Sequence, residues 1–265
     1  MKKIIELYQQ GSLSEAISVV EAYLRDDPTN MEYRSTFIEL LCINNELERA
    51  DKQLNMIVQS HPESLLGATN LRQLIRAQQT RLDFYEGKAT PEIFCQPNEE
   101  ISAFIKLRLE INTGDEQSIN AAAVALESAR SKTCLEVNGE AVNELRDLDD
   151  SLAGFIEVFG TNGKYYIVQM ADIEFIDFKP ATSLLENIWC RVNLEIKNGP
   201  SGEAHIPLIY VDSKLEHDKV GKATDWQQKT DNLVLGSGLK MWLVNDQAVN
   251  LHDIKKIEAK ALETA

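Results

Sequence analysis

Asp147, Asp149 and Asp150, in the run DLDDS, are the densest cluster of hard oxygen ligands in the chain. Carboxylates this close suit a divalent cation. A calcium loop, however, needs a glycine at its sharp turn and a distal glutamate, and neither is in place. A solvated acidic patch, or carboxylates capping a helix, is the better reading. In GSGLKM, Gly236 and Gly238 form a G-x-G, but the third glycine and the strand–turn–helix setting of a dinucleotide loop are missing. Ser151 and Ser237 lack the G-x-S-x-G frame of a hydrolase elbow. His61, His205, His217 and His252 are dispersed, and Cys42, Cys95, Cys134 and Cys190 contain no C-x-x-C pair. The pattern supplies no zinc site, and the cysteines read as reduced thiols of a cytoplasmic protein. Tyr165, Tyr166, Trp189 and Trp226 read as core and sheet-face aromatics. These residues predict no catalytic group, no metal and no cofactor.

The charge points the same way. The net charge of −15 over 265 residues is shared by both halves. An acidic surface repels phosphate backbones and argues against a nucleic-acid partner. The opening MKKIIELYQQG is too short in apolar residues for a secretory signal. No apolar run approaches the length that spans a membrane.

What positions the few distinctive residues is a repeat. QQGSLSEAISVVEAYLRDDP (9–28) and INNELERADKQLNMIVQSHP (43–62) share a register: Leu13 and Leu47, Ala16 and Ala50, Pro28 and Pro62 are each 34 apart. This is the second half of a tetratricopeptide-like pattern, in which a small residue sits at a close helix crossing, an apolar residue follows four later and proline ends the hairpin. Gly11 and Asn45 occupy the turn between helices and tolerate left-handed backbone. Beyond Pro62, LRQLIRAQQTRLDFYEG continues as helix capped by Gly87. Ile101 to Leu109 and SINAAAVALESARSK then form a degenerate hairpin.

From about Cys134 the period changes to two. VNGEAVNELRDLDDSLAG reads as a turn followed by an acidic helix or loop. GFIEVFGTNGKYYIVQM is two strands around Asn162-Gly163. In IWCRVNLEI, Ile188, Cys190, Val192, Leu194 and Ile196 alternate with polar residues. AHIPLIYV, NLVL and KMWLV add strands, and KLEHDKVGKATDWQQKTD reads as loop or helix. The expectation is an α+β chain: helical hairpins over 1–133 and a small, mainly antiparallel β-rich part over 134–265.

That order of elements resembles the ImpE/SciE/TagJ family of accessory proteins encoded with bacterial type VI secretion systems. The resemblance rests on Asp149, Ser151, Leu152 and Glu157, on Asn162, Gly163, Tyr165 and Tyr166, and on Trp189, Ile206, Pro207, Tyr210 and Trp226. It implies a cytoplasmic, non-enzymatic adaptor that binds a helix of the small sheath subunit and is linked to sheath recycling by the disassembly ATPase. Helical hairpins independently suggest a peptide-holding concave face, lined by the first helix of each pair. Mapped back from Ala16 and Ala50, that face carries Tyr8, Ser35 and Glu39, and by extension Gln73 and Arg76. Two other classes compete: a small-molecule or catalytic pocket in the β-rich part, and a purely structural oligomer component.

Overall fold

The computed structural model describes residues 1–94 and 96–260. Cys95, expected as a reduced thiol, and residues 261–265 of the expected C-terminal part lie outside the described residues. Seven helices come first: α1 (Lys2–Gln10), α2 (Leu13–Asp26), α3 (Met31–Ile43), α4 (Leu47–Ser60), α5 (Leu65–Tyr85), α6 (Glu99–Thr113) and α7 (Glu116–Ala129). Each of α1 to α5 packs on the next, and α6 packs on α7. The repeat explains the crossings. Ala16 and Ala50 are fully buried, and Gly11 and Asn45 turn the chain at φ 82° and 61°. Ala50→Leu should therefore overpack the α3–α4 crossing and cost about 1–3 kcal/mol. An unchanged urea midpoint would contradict that packing.

The third repeat does not close into a hairpin. After Pro62 the chain forms α5, 21 residues long and unbroken by a turn. Asn98 and Asp115 cap α6 and α7 by accepting backbone N–H bonds from Ile101 (2.9 Å) and Gln117 (3.0 Å).

The remainder is β-rich: β1 (Leu135–Val137), β2 (Glu140–Val142), β3 (Leu145–Asp147), β4 (Phe155–Gly160), β5 (Tyr165–Gln169), β6 (Ile173–Phe178), β7 (Trp189–Ile196), β8 (Ser201–Pro207), the short α8 (Glu216–Lys219), β9 (Thr224–Thr230), β10 (Leu233–Gly238), β11 (Met241–Val244), β12 (Gln247–Asn250) and β13 (Lys256–Ala259). Eight strands form one sheet in the order β2-β1-β13-β6-β7-β8-β4-β5; β10-β9 and β12-β11-β3 are separate. The strand pairs are all antiparallel. The sheet is larger than its short, scattered apolar runs suggested. Asn162-Gly163 turns β4 into β5 as the sequence predicts, and in β7 the apolar residues alternate onto one buried face.

Two segments differ from expectation. The turn expected at the start of VNGEAVNELRDLDDSLAG is Asn138-Gly139, but the residues after it form β2 and β3 before the chain becomes loop at 148–154. TDWQQKT is strand β9, paired to β10. The apolar residues of helices and sheet form one continuous core.

Candidate functional site

The five residues expected on a concave face do not stay together. Tyr8 is 6% exposed, a core residue; burial, with the Glu39 charge behind it, pushes its phenol up to about 12. Its equivalent one repeat on, Cys42 (8 + 34 = 42), is buried too. Glu39 is half-buried. It turns inward and accepts the Leu185 N–H (3.1 Å) from the loop before β7. Burial nonetheless raises its pKa against that hydrogen bond. Gln73 lies under the β4–β5 turn, where a Cβ on Gly163 would collide with its side-chain oxygen. Arg76 is exposed and Ser35 is exposed. The C-terminal part thus takes up much of the inner face of the helical array. Lys219 donates to Asn44 Oδ1 (2.9 Å), and Glu216 accepts from Ser14.

An open groove of about 300 Å³ lies between α3, α4 and the start of α5. Met31, Ser35, Ile38 and Glu39 of α3, Leu54 and Ile57 of α4, and Ser64, Gly67, Ala68 and Leu71 at the entry to α5 line it. Its floor is apolar, with Glu39 and Ser35 at one wall. On the same helices Met56, Leu65 and Leu66 are exposed, Leu66 by 74%. An apolar slot between helices with exposed leucines beside it matches the side chains of an amphipathic helix. Of the five expected residues, the groove gathers Ser35 and Glu39. Sequence reasoning missed Gly67, Ala68 and Leu71. The signal for them was LLGATNL, which begins three residues after the second repeat's Pro62.

The other concentration of polar chemistry is sealed. Arg81, near the end of α5, donates to both oxygens of Glu157 on β4 (2.7 and 2.6 Å) and to the Ile209 carbonyl (2.9 Å). Lys240 donates to Glu157 (2.6 Å), as does the Tyr165 hydroxyl (2.7 Å). Burial opposes ionisation of Glu157, but the charges and donors of Arg81 and Lys240 outweigh it and hold the carboxyl well below its usual range. Glu157 has no exposed surface. The cluster ties α5 to β4 and to the residues before β11.

The aspartate cluster joins the same seam. Asp147 accepts from the Tyr210 hydroxyl (2.6 Å), the Trp242 indole (3.2 Å) and the Asp149 N–H (2.9 Å). Asp149 accepts from Ser151 Oγ (2.6 Å) and the Gly236 N–H (3.0 Å). Asp150 accepts from Arg146 and Val234. Arg108 of α6 donates to Ser151 (2.8 Å) and lies 4.0 Å above the Tyr85 ring. These carboxylate oxygens already serve protein donors, and among the described residues no group of three or more His, Cys, Asp or Glu is placed to hold a metal ion. Among them, too, no helix is long and apolar enough to cross a membrane.

A third feature lies at the sheet edge. Glu92 pairs with β5 and sets Phe94 flat on Tyr166 (centroids 4.3 Å apart). A shallow cavity of about 240 Å³ flanks Phe94 on each side, with Ile196 shared between them.

Comparison with known proteins follows this geometry. The ImpE protein family model matches residues 139–258, from the β1–β2 turn into β13. The type VI secretion system accessory component TagJ of Pseudomonas aeruginosa is 23% identical over 261 residues, covering 96% of this chain and 89% of that one. The crystal structure of protein VPA1032 from Vibrio parahaemolyticus superposes with a TM-score of 0.94 at 35% identity, over 98% of each chain. The likeness therefore extends through the helices as well as the sheets. With the buried seam of Asp149, Ser151, Glu157, Tyr165 and Tyr210 built from the residues that carry the resemblance, the chain belongs to the ImpE family.

Proposed function

We propose that the chain is a non-enzymatic, cytoplasmic adaptor of a type VI secretion apparatus that holds an amphipathic helix of the small sheath subunit in the groove between α3, α4 and α5. In this reading it presents that subunit for turnover by the disassembly ATPase. Residues 1–133 form the binding part, and residues 134–265 brace it. The observation that carries the reading is the groove itself, an open slot between α3, α4 and α5 lined largely by apolar residues. The TagJ relative supplies the secretion context. Helix-in-groove recognition needs an apolar slot and exposed anchors nearby, and Met56, Leu65 and Leu66 provide the latter.

Gly67 makes the test clean. It lies inside α5, lines the groove, and a Cβ built on it meets nothing within 4 Å. Gly67→Trp should therefore start from an unobstructed Cβ and carry its indole over the slot, and removing a helical glycine recovers up to about 1 kcal/mol of stability. By calorimetry against a peptide copying the sheath subunit's helix, binding should weaken at least about tenfold. The melting temperature should hold or rise. Full affinity in Gly67→Trp would move the partner to another surface.

A further inference from the structure

The two edges of the β9–β10 hairpin are unequal. In an antiparallel pair every second residue points its N–H and C=O away from the partner strand. The Leu239 N–H bond to the Ala223 carbonyl (2.9 Å) fixes the phase. Val234, Gly236 and Gly238 of β10 therefore face outward, as do Thr224, Trp226 and Gln228 of β9. On β10 each of those donors is used. Val234 donates to Asp150 (2.7 Å), Gly236 to Asp149 (3.0 Å) and Gly238 to Ser213 (2.7 Å). On β9, among the described residues, no hydrogen bond reaches the outward backbone groups of Trp226 or Gln228, and residues 225–229 are all exposed. α7 meets the hairpin at its turn, where Asn120 accepts the Asn232 N–H (3.1 Å). One edge is closed by the protein's own loops, and the other is open.

We propose that β9 pairs antiparallel with β9 of a second copy of this chain, about a two-fold axis through Gln227. The phase of the ladder selects this register. From Thr224 to Gln228 only the even-numbered residues point outward, the bulge at Lys229 ending the alternation, so hydrogen-bonded pairs there must match even with even. Three such registers centre on Trp226, Gln227 or Gln228. Centred on Gln227, Trp226 and Gln228 of opposite copies exchange both backbone bonds, and the symmetry repeats the exchange. Asp225 then faces Lys229 twice, Lys229 being the extra residue that the bulge inserts into β9. The register centred on Gln228 instead opposes Asp225 to Asp231, and that centred on Trp226 leaves both charges unmatched. Among the described residues neither Asp225 nor Lys229 makes an ion pair. A lysine on an edge strand ordinarily keeps other strands away. Here the matching aspartate four residues earlier makes the edge self-complementary, as an isologous interface requires. Trp226, 42% exposed and set against the Tyr210 ring, would cover the partner copy's Gln228.

Sedimentation velocity tests this on the full chain. The contact is small, so dimer should appear at about 100 μM and dissociate on dilution. Asp225→Lys and Lys229→Asp, each placing like charges across the axis twice, should each weaken dimerisation by about tenfold or more. The double variant should restore it. A second measurement reads geometry instead of affinity. Gln227→Cys on the axis should form an intermolecular disulfide at least about tenfold faster than Gln228→Cys, with the wild-type chain as baseline. A chain that stays monomeric at that concentration overturns the proposal. So does a dimer indifferent to the charge reversals, or equal cross-linking at the two positions.

Discussion

Replacing Glu157 with alanine should destabilise the fold by about 3–5 kcal/mol, because it leaves buried charges without their partner. Arg81 and Lys240, with side chains 3% exposed, would each face a vacated site, and the Tyr165 hydroxyl would lose its acceptor. Guanidinium chloride unfolding followed by circular dichroism gives the number. Replacing Arg81, Glu157 and Lys240 together with apolar residues of similar volume should cost much less than Glu157→Ala alone. The penalty lies in the unpaired charge, not in the loss of an ion pair as such. A Glu157→Ala chain within about 1 kcal/mol of wild type would mean that water enters the seam, and the clamp would have to be abandoned.

Gly238→Ala should be nearly as damaging, at about 3 kcal/mol or more, from left-handed strain and overpacking combined. Gly238 has φ 82°, and a Cβ there would fall inside the van der Waals shell of the Ala223 carbonyl oxygen. That oxygen accepts the Leu239 N–H, so the clash breaks the first rung of the β9–β10 hairpin. Gly236 is constrained differently: a Cβ would sit 2.5 Å from the Tyr210 ring. The G-x-G that looked like a fragment of a nucleotide loop is thus explained by tight packing beneath an aromatic and against a backbone. Thermal unfolding of Gly238→Ala, compared with Gly202→Ala on the exposed start of β8, checks this. A Gly238→Ala loss no larger than that of Gly202→Ala would contradict it.

Local patterns in the sequence carried the local structure. The Ala16/Ala50 and Pro28/Pro62 spacing places two helical hairpins because crossings and turns are decided within a few residues. β7 was readable because one of its faces is buried and the other wet. β1, β2 and β3 were not: three residues are too few to show a period of two. β9 was hidden because both of its faces meet solvent at residues 225–229, so no apolar alternation is written into it. The candidate site was less readable still. A repeat register assigns positions to a helix face but does not say which neighbour covers that face. Glu39 and Gln73 are covered by elements more than 80 residues further along, at Leu185 and Gly163. Tyr8 carried a usable warning: its repeat equivalent is the apolar Cys42, a core residue type. The Arg81–Glu157–Lys240 seam joins positions 76 and 83 apart and has no local signature.

α5 belongs to both parts of the molecule. Its first turns form a wall of the groove, and its last turns drive Arg81 into the sheet. A rigid rod shared in this way acts as a mechanical strut: a load applied at one end is felt at the other, with no flexible joint between Leu65 and Tyr85 to absorb it. Cutting the chain after residue 133 would not free an autonomous module. It would strip the strut of its anchorage and expose an unpaired guanidinium at its tip. The two parts therefore share one element, and a change in the tilt of α5 at the groove must be matched at its Arg81 anchor.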